Sequence, residues 1–88
     1  MIYVITHKKF DKRYAKLRPN EQIRFKARRN LFVQNIHDPL LENHPLSGKH
    51  EECFLFHVGG DLLVLYEFLE KDVAHFLKIG THHELFGC

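Results

Sequence analysis

The feature that most constrains this chain is a set of three strand-like segments in its second half, at residues 53–58, 62–68 and 73–79. Leucine, β-branched and aromatic residues fill them, and Gly59-Gly60-Asp61 and Glu70-Lys71-Asp72 supply turn chemistry between them. In the middle segment Leu63 and Leu65 alternate with Leu62, Val64, Tyr66 and Phe68, so both faces of that strand are apolar. Such a strand belongs in the middle of a sheet, and each face needs a cover.

The first half of the chain supplies a cover. Ile2-Tyr3-Val4-Ile5-Thr6 has strand composition. Over residues 7–18 the period changes, and Phe10, Tyr14 and Leu17 mark one face of a helix. Arg18-Pro19-Asn20 breaks it, with Asn20 expected to cap a second helix that ends near His37, before Asp38-Pro39. The expected apolar stripe of that helix is Ile23, Ala27 and Leu31, widened by Phe25, Phe32 and Ile36. Residues 38–50, with two prolines and a glycine, are expected to form a loop, and residues 80–88 an irregular or single-turn tail. The order β-α-α-β-β-β predicts one α+β domain over residues 1–88, an antiparallel sheet with both N-terminal helices packed on one face.

Size and composition fit one core: 44% of the 88 residues are hydrophobic, including eight Phe and three Tyr. The longest apolar stretch, from Leu62 to Tyr66, is too short to span a bilayer, and His7-Lys8-Lys9 interrupt any leader-like run. A cytoplasmic protein without a membrane partner is expected, and Cys53 and Cys88 are not expected to form a disulfide framework. The charge is unevenly divided. Up to His37 there are ten Lys/Arg and two Asp/Glu, a balance of +8; from Asp38 onward there are three and nine, a balance of −6. A half so basic points to an anionic partner.

Eight histidines are present, and four of them fall in three distinctive segments: Asn43-His44-Pro45-Leu46-Ser47-Gly48, Phe56-His57-Val58-Gly59-Gly60-Asp61 and Gly80-Thr81-His82-His83-Glu84-Leu85-Phe86-Gly87. In order and spacing these resemble the HPL-x-G loop, HV-x-x-D strand end and terminal GTH-x-x-LF of the YafQ branch of the RelE/ParE superfamily of bacterial type II toxins. The resemblance implies a RelE-like fold and a toxin held inactive by a cognate antitoxin protein. It also implies an endoribonuclease that cleaves mRNA on the ribosome, in contact with rRNA. Carried over position by position, His44, His57, Asp61 and His82 match the cleavage residues, Phe86 an aromatic near the substrate, and Lys78 a basic residue. Two positions depart from the branch: Phe54 stands where Arg is frequent and Leu62 where an aromatic is frequent.

The residue types suit that chemistry without a metal, because the 2′-hydroxyl of RNA can itself attack the adjacent phosphorus. The catalyst then supplies a base, an acid for the leaving 5′-oxygen and positive charge for the transition state. Histidine titrates near neutrality, and an aspartate can act as base or hold an imidazole cationic. His82 and Asp61 are assigned to proton transfer, with His44 and His57 assisting it or stabilising phosphate charge. Phe86 would stack on a base, and Lys12, Lys16, Arg24 and Arg28 would contact the RNA backbone. No C-x-x-C, H-x-x-x-H or H-E-x-x-H spacing occurs, so no metal or small-molecule cofactor is expected. His7, His37, His50, His75 and His83 are read as solvated or structural. Two alternatives share the fold: a non-catalytic ParE-like inhibitor of DNA gyrase, and a degenerate toxin that only binds its antitoxin.

Overall fold

The computed structural model describes residues 1–46 and 53–86, with Phe86 described in its backbone alone. His50, Cys88 and the Ser47-Gly48 end of the first motif lie outside the described residues. The elements are β1 (Tyr3–Thr6), α1 (Lys8–Ala15), α2 (Pro19–Gln34), a 3-10 turn (Pro39–Leu41), β2 (His44–Pro45), β3 (Cys53–Gly59), β4 (Leu62–Glu70), β5 (Val73–Thr81) and α3 (His82–Phe86). They form one five-stranded sheet in the order β1-β5-β4-β3-β2. The expected α+β class and helix packing hold, with one refinement. β1 runs parallel to β5, Tyr3 opposite Val73, whereas the other neighbours are antiparallel. The two helices carry the chain from β1 at one edge of the sheet to β2 at the other, and the antiparallel strands then return until β5 lies beside β1.

β4 lies at the centre with side chains in two separate apolar clusters. On one face Leu62, Val64 and Tyr66 join Phe56, Val58, Phe76 and Ile79 from the neighbouring strands and Phe10, Phe25 and Phe32 from the helices. On the other, Leu63 and Leu65 pack with Leu55 and with Leu85 of α3. Phe32 joins the helix layer to the sheet: its ring centroid lies 4.9 Å from Phe56, 5.0 Å from Tyr66 and 5.4 Å from Phe76. Each such pair contributes about 0.5–1.5 kcal/mol beyond its burial.

Three local expectations change. The cap of α2 is Arg18 rather than Asn20, with Pro19 at the first helical position and the Glu21 carboxylate accepting from the Arg18 N–H at 2.9 Å. Proline's fixed φ and missing donor suit that first position. The stripe through Ile23 and Ala27 is also overturned, because both are exposed, Ile23 at 68%, while Phe25 and Phe32 are buried. Positions two apart lie about 200° round a helix, so burying the larger Phe25 turns Ile23 outward. Residues 38–50 are not wholly loop: the Asp38 carboxylate caps the 3-10 turn by accepting from the Leu40 N–H at 2.9 Å, and β2 follows. Pro45 is tolerated there because β2 is an edge strand.

Phe32→Ala is expected to cost about 3–5 kcal/mol by urea unfolding. Ile23→Ala should stay within about 0.5 kcal/mol. Comparable losses at both positions would refute this assignment of the buried face.

Candidate active site

The tight turn between β3 and β4 brings the first pair of candidate residues together. Gly59 (φ 126°) and Gly60 (φ 56°) occupy backbone regions that side-chain-bearing residues rarely adopt, and a bulge lies between His57 and Gly59. His57 pairs with Leu63, whose side chain belongs to the cluster opposite the helices. His57, Gly60, Asp61, Leu63, Thr81, His82 and His83 line one recess of about 480 Å³. Three of the four expected cleavage residues therefore share one recess. His83, expected to be only solvated, lines it too.

α3 presents His82 through a local device that the tail composition concealed. The Glu84 carboxylate accepts from the Thr81 N–H at 2.8 Å, and the Thr81 hydroxyl accepts from the Glu84 N–H at 3.2 Å. This is a reciprocal capping box, and Thr-x-x-Glu is its sequence signal. The Thr81 N–H holds the Glu84 carboxyl below its usual range, helped by the Thr81 hydroxyl and Arg13. Arg13 of α1 lies 3.5 Å from that carboxylate. Leu85 packs on the sheet and completes the docking of α3.

His44 reaches His57 from the other side. It is expected from sequence in a loop, but β2 pairs it with Leu55, two residues from His57 along β3. The two imidazole centroids lie 6.0 Å apart. His44 does not line the recess; it borders a neighbouring cavity of about 600 Å³, lined also by Asn43, Phe54, Tyr66 and Phe68. The Tyr66 hydroxyl donates to Asn43 Oδ1 at 2.8 Å, and the Asn43 amide donates to the Ile36 carbonyl at 3.3 Å. These bonds tie the residue before His44 to the central strand. Burial pushes the Tyr66 hydroxyl up to about 12, with the bond to Asn43 opposing it.

The remaining expected residues are distributed as follows. Lys78 pairs with Leu65 and shares the open face, but it does not line the recess. Phe86 ends α3, its side chain outside the described ones. Lys12 is exposed on α1, and Lys16 borders a groove with Arg13 and Arg18. Arg24 reaches from α2 to the glycine turn: a Cβ on Gly59 would stand 3.3 Å from its Nη1, and one on Gly60 3.5 Å away. Arg28 donates to the Leu40 carbonyl at 2.7 Å and thereby anchors the 3-10 turn. Neither departure lines the recess: Phe54 stacks on Tyr66 and borders the cavity beside His44, and Leu62 is buried in the helix-side core. Among the bland histidines, His7 caps α1 by accepting from the Lys9 N–H, and His75 lies 3.1 Å from Glu67. His37 is exposed. Among the described residues, no group of three or more His, Cys, Asp or Glu is arranged to hold a metal ion, and no helix is long and apolar enough to cross a membrane.

This sheet and its helix layer have the fold of small toxins of the YafQ and YoeB/ParE kind. The family model described as bacterial toxin of type II toxin-antitoxin system, YafQ, matches residues 3–87, and the chain belongs to that family. Its structure is similar to the crystal structure of YafQ from Escherichia coli, with a TM-score of 0.79 and 23% identity over 99% of this chain and 100% of that one. The E. coli DinJ-YafQ complex gives 0.77 and 24% over 99% and 100%. A YoeB/ParE toxin from Agrobacterium tumefaciens gives 0.78 at 8% identity, over 92% and 99%. No curated protein sequence matches the chain.

The Tyr66 shift gives a signed prediction. The folded-state value lies above the ordinary 10.0, so its stabilising contribution is full below pH 10 and is lost as pH rises towards about 12. The urea midpoint of the wild type should fall more steeply across that window than that of Tyr66→Phe. Parallel curves would show that Tyr66 has no such linkage.

Proposed function

We propose that this toxin is an endoribonuclease that cleaves mRNA by attack of the substrate's own 2′-hydroxyl. The observation that carries the reading is the meeting of His57, Asp61 and His82 in one recess, with His44 beside His57. The 2′-oxygen bonds to phosphorus as the bond from phosphorus to the 5′-oxygen breaks. A base removes the 2′ proton and an acid protonates the departing oxygen, leaving a 2′,3′-cyclic phosphate and a 5′-hydroxyl. His82 and Asp61 serve as that acid–base pair, and His44 and His57 stabilise charge on the phosphate or assist proton transfer. The reaction as written needs no metal, because RNA carries its own nucleophile.

Binding of mRNA and the ribosome rests on the basic helix half. Arg24, beside the glycine turn, would meet a phosphate there, with Lys12 of α1 and Lys16 just after that helix as further backbone contacts, Lys78 contributing from β5 and Phe86 stacking on a base. Arg28, engaged with Leu40, contributes less freely. A cognate antitoxin is proposed as the protein partner, because E. coli YafQ, a protein of the same fold, has been solved in complex with DinJ. An acidic amphipathic helix would suit exposed Ile23 and its basic neighbours Arg24 and Lys26. The histidine set favours this nuclease over a gyrase inhibitor on the same fold, which would need no such groups.

Induced expression of the wild type should arrest growth and create new mRNA ends, while His82→Ala should do neither. Cleavage by His82→Ala should be slower by about 10²–10⁴-fold, the loss expected for an acid or base. Arrest by both proteins without new ends would refute the nuclease. In the His82→Ala background, Arg24→Ala should lower the slope of log affinity for single-stranded RNA against log salt by about 1. An unchanged slope would remove Arg24 from the backbone contacts.

A further inference from the structure

Glu42 belongs to none of the three histidine motifs, yet it touches two of the histidines. It ends the 3-10 turn in a left-handed conformation, φ 47° and ψ 40°, the only positive φ outside glycine among the described residues. A positive φ in a residue with a long side chain is costly and needs support from its surroundings. Here the turn is held by the Asp38 cap and by Arg28 on the Leu40 carbonyl. That backbone directs the Glu42 carbonyl to within 2.8 Å of His44 Nδ1. The Glu42 carboxylate lies 3.6 Å from His57 Nδ1.

The first of these contacts fixes a proton and the second biases one. A carbonyl oxygen can only accept, so the bond to His44 requires the proton on Nδ1. A carboxylate beside His57 Nδ1 likewise favours a proton on that nitrogen. In both rings Nε2 is then the nitrogen left for substrate. It carries a lone pair when the ring is neutral and a second N–H for a phosphate oxygen when the ring is cationic. We propose that Glu42 is a positioning residue of the nuclease site, setting the tautomer of His44 through its backbone and of His57 through its carboxylate. The proposal rests on the nuclease reading for its effect on turnover, but not for its effect on the rings.

The test compares wild type with Glu42→Gly and Glu42→Gln. Glycine accepts the left-handed backbone, so the carbonyl at His44 survives while the carboxylate is lost. Glutamine keeps the length and an acceptor but removes the charge. Ring nitrogen shifts of ¹⁵N-histidine-labelled protein report each tautomer without RNA, and cleavage of a short oligoribonucleotide gives kcat and KM. His57 should lose its Nδ1–H preference in Glu42→Gly and part of it in Glu42→Gln, while His44 keeps its own in both. The kcat of Glu42→Gly should fall about tenfold with KM little changed, well short of the loss on removing an acid or base itself. Glu42→Gln should lie between. An unchanged His57 signature in both folded variants would overturn the proposal, as would altered tautomers with wild-type kcat. A wild type that cleaves no RNA would sink the nuclease reading and Glu42's part in turnover with it, whereas an unchanged His57 signature alone would sink only Glu42.

Discussion

The rest of the structure depends on β4 being buried through both faces. From Leu62 to Tyr66 every residue is buried, and alternate side chains enter different cores. At about 25 cal/mol per Å² of apolar surface removed from water, leaving either face bare would forfeit several kcal/mol. One face takes the two helices, which fill it with Phe10, Phe25 and Phe32. Among the described residues the other has no such layer and is closed in part by short α3 through Leu85. The open face is consequently where polar chemistry finds room, and His57 and Lys78 lie there beside leucines.

Each segment that carries a candidate group is fastened to this strand or to its immediate neighbour. The glycine turn that sets His57 against Asp61 is the entrance to β4. The residue before His44 hangs from the Tyr66 hydroxyl, a β4 side chain otherwise surrounded by aromatic rings. α3 docks on Leu63 and Leu65 through Leu85, while its capping box fixes where the helix begins. A loss of packing at β4 would therefore disturb all three histidine segments together. The sheet is part of the geometry of the recess as well as its support.

The sequence made the strands, the helix layer and the family motifs legible because each has a local period or spacing. Alternation in the three C-terminal strands and the 3.6-residue period of α1 need only neighbouring residues to be seen. What escaped depended on pairing across the chain. β2 exists because His44 and Pro45 meet Leu55 and Phe54, and no local pattern announces a two-residue strand. The parallel placement of β1 is likewise a property of the whole path from β1 to β5. The buried side of α2 follows the volume of Phe25 and Phe32 and not the aliphatic spacing of Ile23 and Ala27. The capping box at Thr81 and Glu84 was present in the sequence as Thr-x-x-Glu, obscured by the histidines between them. Glu42 could be found only in three dimensions, since its role depends on a left-handed turn and on His57, fifteen positions away.

The two departures from the family pattern are instructive about where positive charge can come from. Phe54 faces the helix layer against Tyr66, and Leu62 is buried at the same core. On such a face an arginine at position 54 would have to displace aromatic packing or lose its hydration, so restoring charge there would be costly. Arg24 approaches the rim of the recess from the opposite layer, because Gly59 and Gly60 leave no side chain in its way. The glycine turn thus serves two demands at once, a backbone that brings His57 to Asp61 and a gap through which a cation from the helices can reach the sheet's end. Under the nuclease reading, the strong charge division of the sequence is a geometric requirement. On that reading the acidic half supplies the residues that line the recess, and Arg24 of the basic half, beside the glycine turn, would meet the phosphate.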